Sequence, residues 1–218
     1  MAVVAITSAC GGDDAPADAS SGSTAEHKIT VAGDSISVGL GTQLREVVGD
    51  RATVKVIGEV GTGLARPDNF DWPTRLRTLA DEFPPQVLVL SLGSNDAQDL
   101  TDTSGEVVAG RSDDAKWDAE YSRRLAESFD AFEDTDTRVV WVGHLRTREA
   151  RVGETNRHIH RLAEQVASTR PWVEVADLGQ LLGTGEKTAT TCLVPDGLHL
   201  TVDCLTKADQ ALLPQLLP

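Results

Sequence analysis

Residues 86–96, QVLVLSLGSND, decide the fold. The run from Val87 to Leu92 is broken only by Ser91, so a strand here turns apolar side chains to both faces. A parallel strand covered by helices on each side requires that pattern. The run ends in Gly93-Ser94-Asn95-Asp96, four residues that favour a turn. Outward from it, similar β-branched runs predict strands at 29–32, 52–57, 138–142 and 172–176. Amphipathic stretches between them predict helices at 38–48, 72–82, 113–133, 149–168 and 201–217. Pro73 suits a first helical turn, and Pro84-Pro85 stops that helix. The alternation predicts a three-layer α/β/α sandwich around a five-stranded parallel, flavodoxin-like sheet.

Composition bounds the function. The 218 residues carry 20 basic against 34 acidic side chains, a formal charge of −14, with no Lys/Arg cluster to interrupt it. That balance argues against nucleic acid or an anionic membrane surface as partner. No apolar run approaches the roughly 18 residues of a spanning helix. Only nine residues are aromatic, so an aliphatic core is expected. There is no internal repeat, and residues 28–218 read as one domain.

Residues 1–27 stand apart. MAVVAITSA leads into Cys10, and GGDDAPADASSGSTAE follows, too polar to bury a core. This order resembles the lipobox of bacterial lipoproteins, which implies cleavage before Cys10 and a lipid on its sulfur. No basic segment precedes the apolar stretch, and Thr7 stands where Leu or Val is usual, so a start inside a longer signal peptide is expected. The other reading is a plain polar terminus with an incidental cysteine. If Cys10 carries lipid, Cys192 and Cys204 are left to pair in an oxidising compartment, or to stay buried thiols. The expected location is the cell envelope, lipid-anchored at the membrane periphery or secreted, as a monomer.

In such a sheet ligands gather at the carboxyl ends of the strands. Ser35, after Gly33-Asp34, opens the first helix, where backbone N–H groups surround its oxygen. The position suits a nucleophile and equally a helix cap. His199 lies three residues after Asp196, a spacing at which the carboxylate can orient the imidazole while its other nitrogen takes a proton from a serine. Asn95 could donate to a developing oxyanion or simply build the turn.

Taken in order, Gly33-Asp34-Ser35, a glycine after the second strand, Gly93-Ser94-Asn95-Asp96 and Asp196-Gly197-Leu198-His199 resemble the blocks of SGNH, or GDSL-type, hydrolases. The resemblance spans residues 28–217. It implies Ser35 as nucleophile, His199 as general base and Asp196 as its orienting acid. The oxyanion hole would comprise the Ser35 N–H, the Asn95 amide and a glycine N–H, with Gly63 favoured over Gly61. Ile36 departs from the usual Leu. The resemblance implies no metal or organic cofactor. It implies a serine ester hydrolase acting on a glycan or small-molecule acyl ester of the envelope. An O-acyltransferase with the same triad, or a non-catalytic glycan-binding lipoprotein, are the alternatives.

Lesser features stay open or are dismissed. Trp72 could stack on a sugar, beside Arg66, Asp68 and Asp71, or anchor its helix in the core. The polar connection 99–112 could cover the opposite wall. His144 could line the cleft or merely end a strand. His158 and His160, two apart on a helix, face different ways and make a poor metal pair. The run Gly61-Thr62-Gly63 lacks the third glycine of a dinucleotide fingerprint, and residues 183–188 lack the adjacency of a phosphate loop.

Overall fold

The computed structural model describes Met1 and residues 27–184 and 190–218. The lipobox-like run, Cys10 and the tether lie outside the described residues, apart from Met1, as does most of the dismissed 183–188 segment. Among the described residues there are seven strands: β1 (Lys28–Gly33), β2 (Thr53–Gly58), β3 (Val87–Ser91), β4 (Leu100–Thr101), β5 (Val107–Ala109), β6 (Arg138–Gly143) and β7 (Val173–Asp177). Five of them form one parallel sheet in the order β2-β1-β3-β6-β7. The helices are α1 (Ser35–Val48), α2 (Trp72–Glu82), α3 (Asp114–Asp130), α4 (Ala150–Ala167), the single turn α5 (Leu178–Leu181) and α6 (Val202–Leu216). The fold is the expected α/β/α sandwich.

Every residue of β3 is buried, and its alternation serves two cores. Val87 and Val89 join Leu40, Leu44, Leu205 and Leu212 from α1 and α6. Leu88 and Leu90 face Leu76, Leu125 and Ile159 from α2, α3 and α4. The first layer is aliphatic, as expected. The second is not: Trp72, Trp117, Tyr121, Phe129, Phe132 and Trp141 are all fully buried there. Few aromatics therefore does not mean an aliphatic core, because the few are concentrated on one face of the sheet.

Local chemistry sets the helix starts. Asp34 caps α1 by accepting the Ile36 N–H at 2.9 Å, so that helix begins three residues earlier than its apolar periodicity suggests. Asp71 caps α2 through the Thr74 N–H, and Asp113 caps α3 through Lys116. The connection 99–112, expected as a loop, holds the antiparallel ribbon β4–β5. In the sheet, the chain leaves β1 to one side for β2 and to the other for β3. The crevice at that reversal lies between the carboxyl ends of β1 and β3, which carry Ser35 and Asn95.

Candidate active site

Gly33 ends β1 pressed against β3. A Cβ there would lie 1.9 Å from the Ser91 carbonyl oxygen, and its φ is +138°. Only glycine admits this approach, and it lets the Asp34 N–H donate to that carbonyl at 3.1 Å. The Asp34 carboxylate is 0% exposed. Its second oxygen accepts from Ser94 Oγ at 2.6 Å, tying the loop after β1 to the loop after β3. Asp34 is thus a cap and a brace, and Ser35 follows it at the first helical position, half-buried, where backbone N–H groups have no acceptor within the helix.

The segment 192–201 arrives from the other end of the chain. Its ends are held by Thr201 N–H to the Cys192 carbonyl (2.8 Å), Val194 N–H to the His199 carbonyl (2.9 Å), and the Cys192–Cys204 disulfide. Within it Asp196 Oδ1 accepts the backbone N–H groups of Leu198 (2.8 Å) and His199 (3.0 Å). Its Oδ2 faces His199 Nδ1 at 2.7 Å. His199 Nε2 in turn lies 2.7 Å from Ser35 Oγ. The structure therefore brings Ser35, His199 and Asp196 into one hydrogen-bonded line. The Leu198 N–H, then the imidazole, hold the Asp196 carboxyl down at about 2, so it stays charged at any ordinary pH. With a carboxylate on Nδ1, the neutral ring carries its proton there and offers the Nε2 lone pair to the serine. Both side chains are open to solvent, 40% exposed for His199 and 48% for Asp196.

The expected oxyanion donors sit on the loops after β2 and β3, the strands that flank β1. Asn95 Nδ2 donates to the Thr62 carbonyl at 2.8 Å and, at 3.3 Å, to Ser94 Oγ. The longer bond is the one a reacting oxygen could replace. Gly63 is buried, with the position of a Cβ only 2.0 Å from Asp96 Oδ1. Gly61 is exposed in a turn with nothing near it. Trp72 offers no stacking face: it is 0% exposed and donates from Nε1 to Thr62 Oγ1 at 2.9 Å, so it anchors α2 and the loop together.

Two further groups, Asp96 and Arg124, position the loop after β2. Asp96 accepts the N–H groups of Leu64 and Ala65 and the Tyr121 hydroxyl (2.7 Å). Burial and the adjacent carboxylate push the Tyr121 phenol well up, which keeps it a donor. Arg124, buried on α3, donates to the Leu64 and Thr101 carbonyls. His144 lies beneath the site, 2.7 Å from Ser91 Oγ and 4.0 Å from Asp34 Oδ2. His158 is paired with Asp118 and His160 packs on Gly143. Among the described residues no group of His, Cys, Asp and Glu could hold a metal ion, and no helix is long and apolar enough to cross a membrane.

Solved structures share this fold. A carbohydrate acetylesterase family member from Sinorhizobium meliloti aligns over 87% of this chain and 96% of its own, with a TM-score of 0.60 and 16% identity. A member of the lipolytic G-D-S-L family from Veillonella parvula aligns over 86% and 97%, with a TM-score of 0.60 and 13% identity. The catalytic domain of peptidoglycan O-acetyltransferase A from Streptococcus pneumoniae aligns over 88% and 94%, at 0.59 and 11%. At such identities the likeness is one of fold. No curated protein matches the chain. By sequence, the family model for DUF459, proteins of unknown function, matches residues 28–202, and the chain belongs to that family.

Proposed function

We propose that the protein is a serine ester hydrolase. The observation that carries this reading is the continuous line Ser35 Oγ–His199 Nε2 and His199 Nδ1–Asp196 Oδ2, each contact 2.7 Å. On this reading Ser35 Oγ attacks the ester carbonyl carbon as its proton passes to His199 Nε2. The oxyanion is stabilised by the Ser35 N–H, by Asn95 and by the Gly63 N–H. Collapse of the tetrahedral intermediate expels the alcohol, which takes the proton from the imidazolium and leaves an acyl-Ser35 ester. Water, deprotonated by the same imidazole, then releases the carboxylic acid and restores Ser35.

The openness of the triad supports hydrolysis over acyl transfer, because a transferase must keep water from its acyl-enzyme. The disulfide supports an oxidising compartment. Together with the lipobox-like start it supports an enzyme of the cell envelope, deacylating a glycan or small ester there. The neighbours include an acetylesterase family member and an O-acetyltransferase domain, and acyl chemistry on sugars fits both names.

The test is hydrolysis of p-nitrophenyl acetate, butyrate and octanoate, with Ser35→Ala as control. Turnover that disappears in Ser35→Ala is expected, and wild-type turnover by the variant would overturn the assignment. A folded enzyme that labels with a fluorophosphonate at Ser35 but hydrolyses none of the esters would point to the transferase.

A further inference from the structure

A cavity of about 10 Å³, counted as space for a water's centre, lies among Ile36, Ser94 and Leu198. These are the chain neighbours of Ser35, Asn95 and His199. Such a space holds about one water molecule. His144, from the loop after β6, and Asn156, on α4, border it as well.

Both of these side chains are buried, the His144 ring 4% exposed and Asn156 2%. Each has one polar atom with no hydrogen-bond partner among the described residues, Nδ1 of His144 and Oδ1 of Asn156. Buried polar atoms are seldom left so. Asn156 Nδ2 donates to the Leu145 carbonyl at 3.1 Å, which fixes the amide's orientation and makes the orphan atom an acceptor. Ser91 fixes the character of the other. Its hydroxyl donates to the Val142 carbonyl at 3.1 Å, so it accepts from His144 Nε2 at 2.7 Å. Asp34 Oδ2, 4.0 Å from Nε2, favours a proton on that nitrogen. In the neutral ring Nδ1 is then a lone pair.

Two acceptors thus border one small cavity and require two donors. The hydroxyls beside them cannot serve. Ser94 spends its proton on Asp34 Oδ2 at 2.6 Å, and Thr147 spends its own on the Glu149 carbonyl at 2.8 Å. An apolar occupant, such as the methyl of an acyl group, would leave both acceptors unpaired.

We propose that this cavity binds a single water molecule that donates one O–H to His144 Nδ1 and the other to Asn156 Oδ1. The water locks the His144 ring in its Nε2–H form and ties α4 to the loop after β6. Through the ring it also steadies Ser91, whose carbonyl accepts the Asp34 N–H at the turn that presents Ser35.

A high-resolution crystal structure of the full chain should show a water within about 3.2 Å of both atoms. Nitrogen-15 spectra of the histidine rings should place the His144 proton on Nε2, with a nuclear Overhauser contact from the ring to a slowly exchanging water. Asn156→Leu should abolish that contact and shift the Nδ1 signal, whereas Asn156→Asp, which keeps an acceptor, should retain it. If Asn156→Leu does not fold, the density and the ring spectra of the unsubstituted protein decide alone. A cavity without ordered water, a water bonded to only one of the two atoms, or a proton on His144 Nδ1 would overturn the proposal. None of these readouts involves turnover, so the outcome is independent of whether the protein hydrolyses esters.

Discussion

Asp96 and Arg124 hold the same two residues, Leu64 and Ala65, one by their N–H groups and the other by their carbonyls. Asp96 accepts the N–H groups of Leu64 and Ala65, each at 3.0 Å. Arg124 Nη1 donates to the carbonyls of the same residues, at 2.6 and 3.1 Å. The segment after β2 is an irregular loop, yet the N–H and the carbonyl of both these residues have partners. Gly63 immediately precedes these residues, so the clamp holds the chain on its carboxyl side.

Asp96→Asn should loosen that clamp. An amide cannot accept at both positions, so one buried N–H loses its partner, at a cost of about 1–3 kcal/mol. Thermal unfolding should show the loss. If the Gly63 N–H helps hold the oxyanion, ester turnover should fall further than stability does, on the order of 10²-fold for one misplaced donor. Wild-type turnover in a folded Asp96→Asn would remove the loop from the mechanism.

The two candidate glycines separate by substitution. Gly63→Ala drives a methyl into the Asp96 carboxylate, 2.0 Å away, and breaks the clamp, so stability and turnover should both fall. Gly61→Ala meets no atom but keeps a φ of +76°, a strain of about 1–2 kcal/mol for an L-residue. Its turnover should stay near wild type once folded. Equal turnover losses in the two variants, at matched stability, would contradict the preference for Gly63.

Much of this was legible before the structure. The strands showed because β3 and β6 are apolar on both faces, a signature few other settings produce. Ser35, Asp196 and His199 showed only jointly, through the order of blocks that resembles SGNH hydrolases, since Ser35 alone reads equally as a helix cap and Asp196-x-x-His199 alone is a weak signal. The ribbon β4–β5 did not, since strands of two and three residues are too short to display a period. Arg124 was hidden too: it lies in a charged helical stretch whose neighbour Arg123 pairs with Glu120 and Glu127 at the surface. Nothing local says that the second arginine turns inward. His144 is known as part of the site only once β6 is placed beside β3.

Asp196→Asn should isolate the orienting role. The side-chain oxygen can still accept the Leu198 and His199 N–H groups, so the loop should keep its shape. The amide then faces Nδ1 as a donor, which favours the wrong imidazole tautomer. Turnover should drop by about 10²–10⁴ with little change in KM. Since the wild-type carboxyl stays ionised down to about 2, it contributes nothing to the pH profile near neutrality. Any acid limb there would report the titration of another group and not that of Asp196 itself.

Asp209 governs a different pH response. It is 1% exposed on α6, its Oδ2 has no partner, and burial pushes its carboxyl up to about 8. The folded protein therefore holds this proton more tightly than the unfolded chain does. The resulting stability is full below the unfolded value of about 3.9, declines as pH rises, and is lost above about 8. Asp209→Asn should be close to neutral at pH 4 and stabilising by on the order of 5 kcal/mol at pH 9. Urea unfolding across that range decides it, and a gain independent of pH would place the effect elsewhere.

The disulfide closes a span of 12 residues around Asp196 and His199. A loop of that length contributes about 3 kcal/mol in the chain-entropy model. The backbone bonds at Thr201 and Val194 close the same segment without it, and α6 is independently packed on α1 through Leu205 and Leu212. Reduction should therefore leave the sheet and helices intact under native conditions while loosening the segment that aligns His199 with Ser35. Turnover should fall at reductant levels where the far-ultraviolet circular dichroism is unchanged, and a Cys192→Ser/Cys204→Ser double variant should behave alike. If activity instead survives confirmed reduction and fails only with global unfolding, the backbone bonds alone align the histidine, and the disulfide serves stability.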